Sequence, residues 1–402
     1  MAKSKSQKGS VLYVIGSLDV GGTERHVTAV ASRLARRGWN ISVYTMTHRG
    51  MLADELERSG VEVIVPPFRR EPSLQGPAKR LFLIALLAFD LFFVMLRRRP
   101  TIVHCFLPSA YLVGVPLAAI SGCKVRIMSR RSLNQYQQAR RLFGAIEIRV
   151  HRLVTAALGN SRAVVKELKQ EGIPAAKIGL IYNGVDLAPY AHANPKSALR
   201  ARLGIGADEL VIISVANLIP YKGHADLLNA LALAGPQMKQ NWRVLIAGRD
   251  DGIGAELQSL AKNLCLSGNV RFLGLRDDVP DLLCASDVGV LCSHQEGFAN
   301  AILEGMAAHL PMIVTNVGGN AEAVEHERTG LVVSPGQPEE LSDAILRMAR
   351  DVSLREEMGA AGLRRVTDNF QISRVVSAYD DLYSALIADD KPSSVTTVAL
   401  RC

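Results

Sequence analysis

Two glutamates eight residues apart, Glu296 and Glu304, bracket the segment Gly297, Phe298, Ala299, Asn300, Ala301, Ile302 and Leu303. On a continuous helix they would stand about 12 Å apart at 1.5 Å per residue, the distance from a nucleoside ribose across a diphosphate to a hexose. With Gly297 to Asn300 opening the helix, its unpaired N–H groups would face the diphosphate, Glu304 the ribose and Glu296 the sugar. Met306, Ile302 and Leu303 imply that one face of this helix is buried. A second cluster runs from Asn217 to Gly223, where Lys222 could neutralise a diphosphate as a point charge. A third is the loop Gly21, Gly22, Thr23 and Glu24, whose paired glycines let an anion approach a helix start. A turn alone would also use such glycines.

These residues need strands to carry them. Short β-branched runs alternate with helical patterns along the chain, which predicts parallel sheets with crossover helices. Val11–Ile15, Ile41–Thr45, Val61–Val65, Ile102–Cys105 and Val125–Ser129 read as strands of a first domain. Val211–Val215, Val244–Ala247, Val270–Leu273, Val288–Leu291, Met312–Thr315 and Gly330–Val333 read as strands of a second. Asp186 to Leu203, with Pro189 and Pro195, reads as linker plus first helical turn. The expected division is residues 1–188, 189–369, a packing helix over 370–387 and a tail over 388–402. Loops at the carboxyl ends of the strands are where ligands are expected, and the GGTE loop, Lys222 and Glu296 all follow strands.

Taken together, these motifs resemble the family 4 (group 1) retaining glycosyltransferases. The resemblance is carried by the GGxE loop at Gly21–Glu24, NSxxV from Asn160, YNGVD at Tyr182–Asp186, PYKG at Pro220–Gly223, the EGFANAILE run and GGNAEAV from Gly318. It implies the GT-B fold, two doubly wound Rossmann-like α/β domains facing across a cleft. It also implies transfer of a hexose-type sugar, with retention, from a nucleotide diphosphate sugar. By the resemblance, Lys222 holds the donor diphosphate, Glu304 the ribose and Glu296 the transferred sugar. The donor would be lined by Gly22, Asn217, Gly274, Leu275, Arg276, Gly297, Phe298, Ala299 and Asn300. Gly21, Gly22, Glu24 and Arg131 would face the acceptor.

Two positions depart from the family pattern. Asn217 stands where many relatives carry an arginine, so one cation on the leaving group is missing, and Arg130 or Arg131 is the candidate to replace it. The histidine that many relatives place after the strand Val125–Ser129 is also absent. His104 is a candidate in its stead, and a core histidine satisfied by hydrogen bonds is the competing reading. No DxD occurs, so no metal and no cofactor are expected. A non-catalytic nucleotide-sugar-binding subunit and an epimerase or hydrolase of the same fold are the rival readings.

Composition bounds the setting. The chain has 402 residues, 48% hydrophobic and 21% charged, enough for two packed cores. Its six cysteines form no CxxC pair, which predicts reduced thiols in a cytoplasmic protein. The start lacks a signal-peptide core. Residues 1–190 carry 28 Lys and Arg against 12 Asp and Glu, whereas the remainder carries 19 against 26. A basic first half suits an anionic surface such as phospholipid or a lipid diphosphate, and nucleic acid is disfavoured because no recognition motif occurs. Leu81–Leu96 is nearly all apolar, broken by Asp90 and followed by Arg97, Arg98 and Arg99. It is too short to span a bilayer and reads either as a helix packed on a sheet or as a membrane-surface helix. UDP is the expected donor nucleotide, and a lipid-linked or growing glycan of the cell envelope or exopolysaccharide is the expected acceptor.

Overall fold

The computed structural model describes residues 8–68, 77–135, 137, 141–191 and 194–388. The expected tail therefore lies, beyond Ala388, outside the described residues. The chain forms two compact units: residues 1–183 with 372–402, and residues 184–371. The last helix, Ile372–Ala388, thus belongs to the first unit, although it follows the second in the chain.

The first unit is built on a seven-stranded parallel sheet: β1 Gly9–Ile15, β2 Trp39–Thr45, β3 Glu62–Ile64, β4 Ile102–Phe106, β5 Val125–Arg130, β6 Ala156–Gly159 and β7 Ile178–Leu180. Their order is β3-β2-β1-β4-β5-β6-β7. Successive side chains of a strand point to opposite faces, so a sheet covered on both sides reads as an unbroken apolar run. In β1, Val11, Tyr13 and Ile15 enter one core with the Ile372–Ala388 helix. Leu12 and Val14 enter the other, with Leu87, Leu91 and Met95 of the helix Pro77–Arg98. The strands β6 and β7 were not expected.

The second unit has six parallel strands in the order β10-β9-β8-β11-β12-β13: β8 Leu210–Val215, β9 Trp242–Ala247, β10 Val270–Gly274, β11 Val288–Leu291, β12 Met312–Thr315 and β13 Gly330–Val333. All six match the expected set. From β8 the chain winds outward through β9 and β10, then returns to place β11 on the other side of β8. The crevice at the carboxyl ends of β8 and β11 is therefore the topological switch point, where open α/β sheets bind ligands.

Candidate functional site

The loops leaving β8 and β11 meet at that switch point. After β8 the chain makes a short 3-10 turn, Pro220–Lys222, ending at Gly223. Gly223 has φ +71°, and a Cβ there would lie 2.0 Å from the carbonyl oxygen of Cys292, so this close approach of the two loops requires glycine. The result is a direct ion pair: Lys222 Nζ donates to Glu296 Oε1 at 2.5 Å, and the Ser293 hydroxyl donates to the same oxygen at 2.8 Å. Both charged side chains are only partly accessible, 18% for Lys222 and 10% for Glu296. The Tyr221 ring lies 5.5 Å from the ammonium. Further bonds lock the loops: His294 N–H to the Tyr221 carbonyl at 2.7 Å, and the Thr315 hydroxyl to the Ser293 carbonyl at 2.5 Å. The His294 ring and Asp226 are 2.6 Å apart.

Glu296 sits in a loop, which corrects the sequence expectation. The helix begins only at Asn300 and ends at Ala307, so Glu296 and Gly297 precede it and the eight-residue spacing is not a helical span. The loop is held from the segment after β12: Gly319 N–H donates to the Gly297 carbonyl at 3.0 Å. Gly318 has φ +51° and comes so close that an added Cβ would fall 1.7 Å from the Glu296 carbonyl oxygen. The helix start, at Ala299, has no side-chain cap, which leaves backbone donors to meet an anion. Glu304 lies on this helix and is half-buried. Phe298 and Ala299 are buried, the Phe298 ring 5.5 Å from the Phe370 ring, so these two residues can offer a ligand only backbone.

Asn217, where the second cation was missing, accepts at Oδ1 from the Arg249 N–H at 3.3 Å and donates through Nδ2 to Asp251 at 3.1 Å. Arg249 leaves the carboxyl end of β9, next to β8, with its guanidinium half-exposed on Asp251 at 2.6 Å. Sequence reasoning passed over it. Gly274 ends β10 with φ +67° and turns the chain into exposed Leu275, while Arg276 is paired with Asp278 at 2.6 Å.

In the first unit, Gly21 is extended and precedes the helix Gly22–Arg36, whose first turn holds Glu24. The structure moves three candidates away from an open site. The Arg130 guanidinium is fully buried between Glu147 and Glu171, bonding Glu171 at 2.5 and 2.7 Å. Burial pushes Glu147 up, but His151, Arg130, Tyr111 and Gln137 outweigh it and hold the carboxyl at about 2. Arg130 is thus a core counter-ion. Arg131 is 8% exposed and donates to Asn183 Oδ1 at 2.5 Å. His104 is fully buried, with Nδ1 2.6 Å from the Tyr383 hydroxyl and Nε2 2.7 Å from Ser129 Oγ. Burial and the nearby Arg131 charge hold it well below the usual histidine range, so it is a neutral core histidine. Its satisfied ring is the reading that the sequence had set against a catalytic one.

Comparison with known proteins fits this layout. Residues 20–189 match the model described as Glycosyltransferase Family 4, and residues 195–365 the model described as Glycosyl transferases group 1. The N-acetyl-alpha-D-glucosaminyl L-malate synthase of Bacillus anthracis is 29% identical over 235 residues, covering 58% of this chain and 61% of that protein. A UDP-Gal:alpha-D-GlcNAc-diphosphoundecaprenol alpha-1,3-galactosyltransferase of Escherichia coli is 27% identical over 352 residues, 85% of this chain and 88% of that one. Among solved structures, Anabaena HepE in complex with UDP-glucose superposes with a TM-score of 0.82 at 23% identity, over 94% of this chain and 100% of that one. From residue 20 to residue 365 the two family models leave only a short gap, and the chain belongs to the family 4, group 1 glycosyltransferases, with the two-domain α/β GT-B fold.

Proposed function

We propose that the protein moves a hexose-type sugar from a UDP sugar to a lipid-linked or growing glycan acceptor, with retention at the anomeric carbon and without a metal. The observation that carries this reading is the Lys222–Glu296 pair at the switch point, beside an uncapped helix start. Departure of a diphosphate develops negative charge on phosphate and positive charge on the anomeric carbon. A donor entering here exchanges partners: its diphosphate takes Lys222 from Glu296, and the freed carboxylate turns to the sugar while Ser293 keeps it in place. Arg249 supplies the second cation that Asn217 lacks. Together with the helix start, these charges do the work of a divalent ion, each donor contributing a few kcal/mol to the transition state. Glu304, on the same helix, accepts from the ribose.

The UDP part of the reading is supported by the names of the Escherichia coli relative and of the HepE complex, and the lipid-linked acceptor by the former. The test is thermal stabilisation by UDP, GDP, ADP and their sugars in the presence of chelator, for wild type and Glu304→Ala. Selective stabilisation by UDP compounds, lost in the variant, is the expected outcome. Stabilisation by no nucleotide would remove the reading in favour of a non-catalytic subunit. Sugar release without acceptor would indicate a hydrolase.

A further inference from the structure

The helix Pro77–Arg98 buries Leu87, Leu91 and Met95 in the first unit's core. Its opposite side is not polar. Phe82, Phe89, Phe93 and Leu96 stand 64%, 71%, 56% and 44% exposed. Their spacing of seven, four and three places them on one stripe, about 21 Å long at 1.5 Å per residue. Three bare phenylalanines in a row are a patch that a monomer in water does not leave uncovered without use. Asp90, which seemed to interrupt the helix, does not interrupt this face: it accepts from the buried Tyr44 hydroxyl at 2.6 Å. The stripe carries no negative charge and ends in Arg97, Arg98 and Arg99. Of these, Arg98 is held by Glu62, while exposed Arg97 and Arg99 have no carboxylate partner among the described residues.

At that end Leu96 and Arg99 also line a cavity of about 800 Å³, at the amino ends of β4 and β5, with exposed Lys124 on its wall and Ile387 closing it. An apolar stripe continuous with a cavity that bears two cations fits an amphiphile with an anionic head. A second copy of this chain would bring the same cations against each other, whereas an anionic bilayer satisfies stripe and cations at once. We propose that this face docks the protein on an anionic membrane, the phenylalanines entering the head-group boundary and Arg97, Arg99 and Lys124 meeting lipid phosphates. No helix among the described residues is long and apolar enough to cross a membrane, so the contact is peripheral. The inference concerns where the proposed transfer takes place and stands apart from the donor reading.

The experiment is co-sedimentation of the full chain with vesicles of phosphatidylglycerol or of phosphatidylcholine, at low and high salt. Binding to the first and not the second, weakened by salt, is expected. The double variants Phe89→Ser/Phe93→Ser and Arg99→Glu/Lys124→Glu should each lower the bound fraction by about tenfold or more. Far-UV circular dichroism and melting temperature measured on the same preparations should match wild type, which shows that the variants are folded. Wild type staying in the supernatant with anionic vesicles overturns the proposal, as do serine variants that bind like wild type. A dimer in solution that the serine variants split overturns it too, in favour of a copy-to-copy interface.

Discussion

Lys222 and Glu296 neutralise each other in the structure, and in the proposed mechanism each is the other's placeholder for a substrate group. Lys222→Ala should lower kcat/KM by about two to three powers of ten, the usual cost of a donor aimed at developing charge. Ser293→Ala should leave nucleotide affinity unchanged and lower kcat, since the Ser293 hydroxyl holds the Glu296 carboxylate; steady-state kinetics with separate kcat and KM values decide this. Arg249→Ala should weaken UDP stabilisation, whereas Arg130→Ala should instead destabilise the first unit by leaving Glu147 and Glu171 buried without their cation. Lys222, Glu296 and Glu304 were legible because their spacing and flanking glycines form one local pattern. Arg249 was not, because its approach to Asn217 is made by the pairing of β8 with β9 across about thirty residues of chain. Nor could adjacency in sequence reveal that Arg130 finds its carboxylates 17 and 41 residues away.

The elements bring these side chains together through backbone contacts that tolerate no side chain. Gly318→Ala would put a Cβ within 1.7 Å of the Glu296 carbonyl at a left-handed φ, and should cost about 2 kcal/mol or more in stability. Activity should fall further than stability, because the displaced atom belongs to the glutamate proposed to face the sugar; denaturant melts and kinetics on one preparation separate the two. Sequence pattern found the six strands of the second unit and five of the first. It missed β6 and β7, whose residues are Ala-Ala-Leu-Gly and Ile-Gly-Leu, too short and too poor in β-branched residues to stand out. It also let the helix open at Gly297, whereas the helix begins at Asn300. The path of Glu296 and Gly297 is fixed instead by Gly318 and Gly319, in the loop after β12.

For the molecule as a whole, acid sensitivity follows from buried imidazoles. His26 and His104 are both held well below the ordinary value of 6.5, by burial first and by Arg131 next. The unfolded chain takes up protons near that value and the folded one does not. Their contribution is therefore full above about pH 6.5 and is lost as pH falls below it, at about 1.4 kcal/mol per pH unit for each group. Melting temperature against pH should show this decline, and His104→Gln should shallow it. Both rings bond tyrosines of the last helix, His26 to Tyr379 at 3.2 Å and His104 to Tyr383 at 2.6 Å, so acid loosens that helix first.

The chain leaves the first unit at Asn183 and re-enters it at Ile372. On a ribosome, then, the unit made second is the first to be complete. Residues 184–371 hold every strand of their sheet before the tyrosines that close the first core have been synthesised. The nascent first unit must wait with that core short of its last helix, which makes it the aggregation-prone partner during synthesis. Expressed alone, 184–371 should fold cooperatively, and 1–183 should require Ile372–Ala388 supplied as a separate peptide.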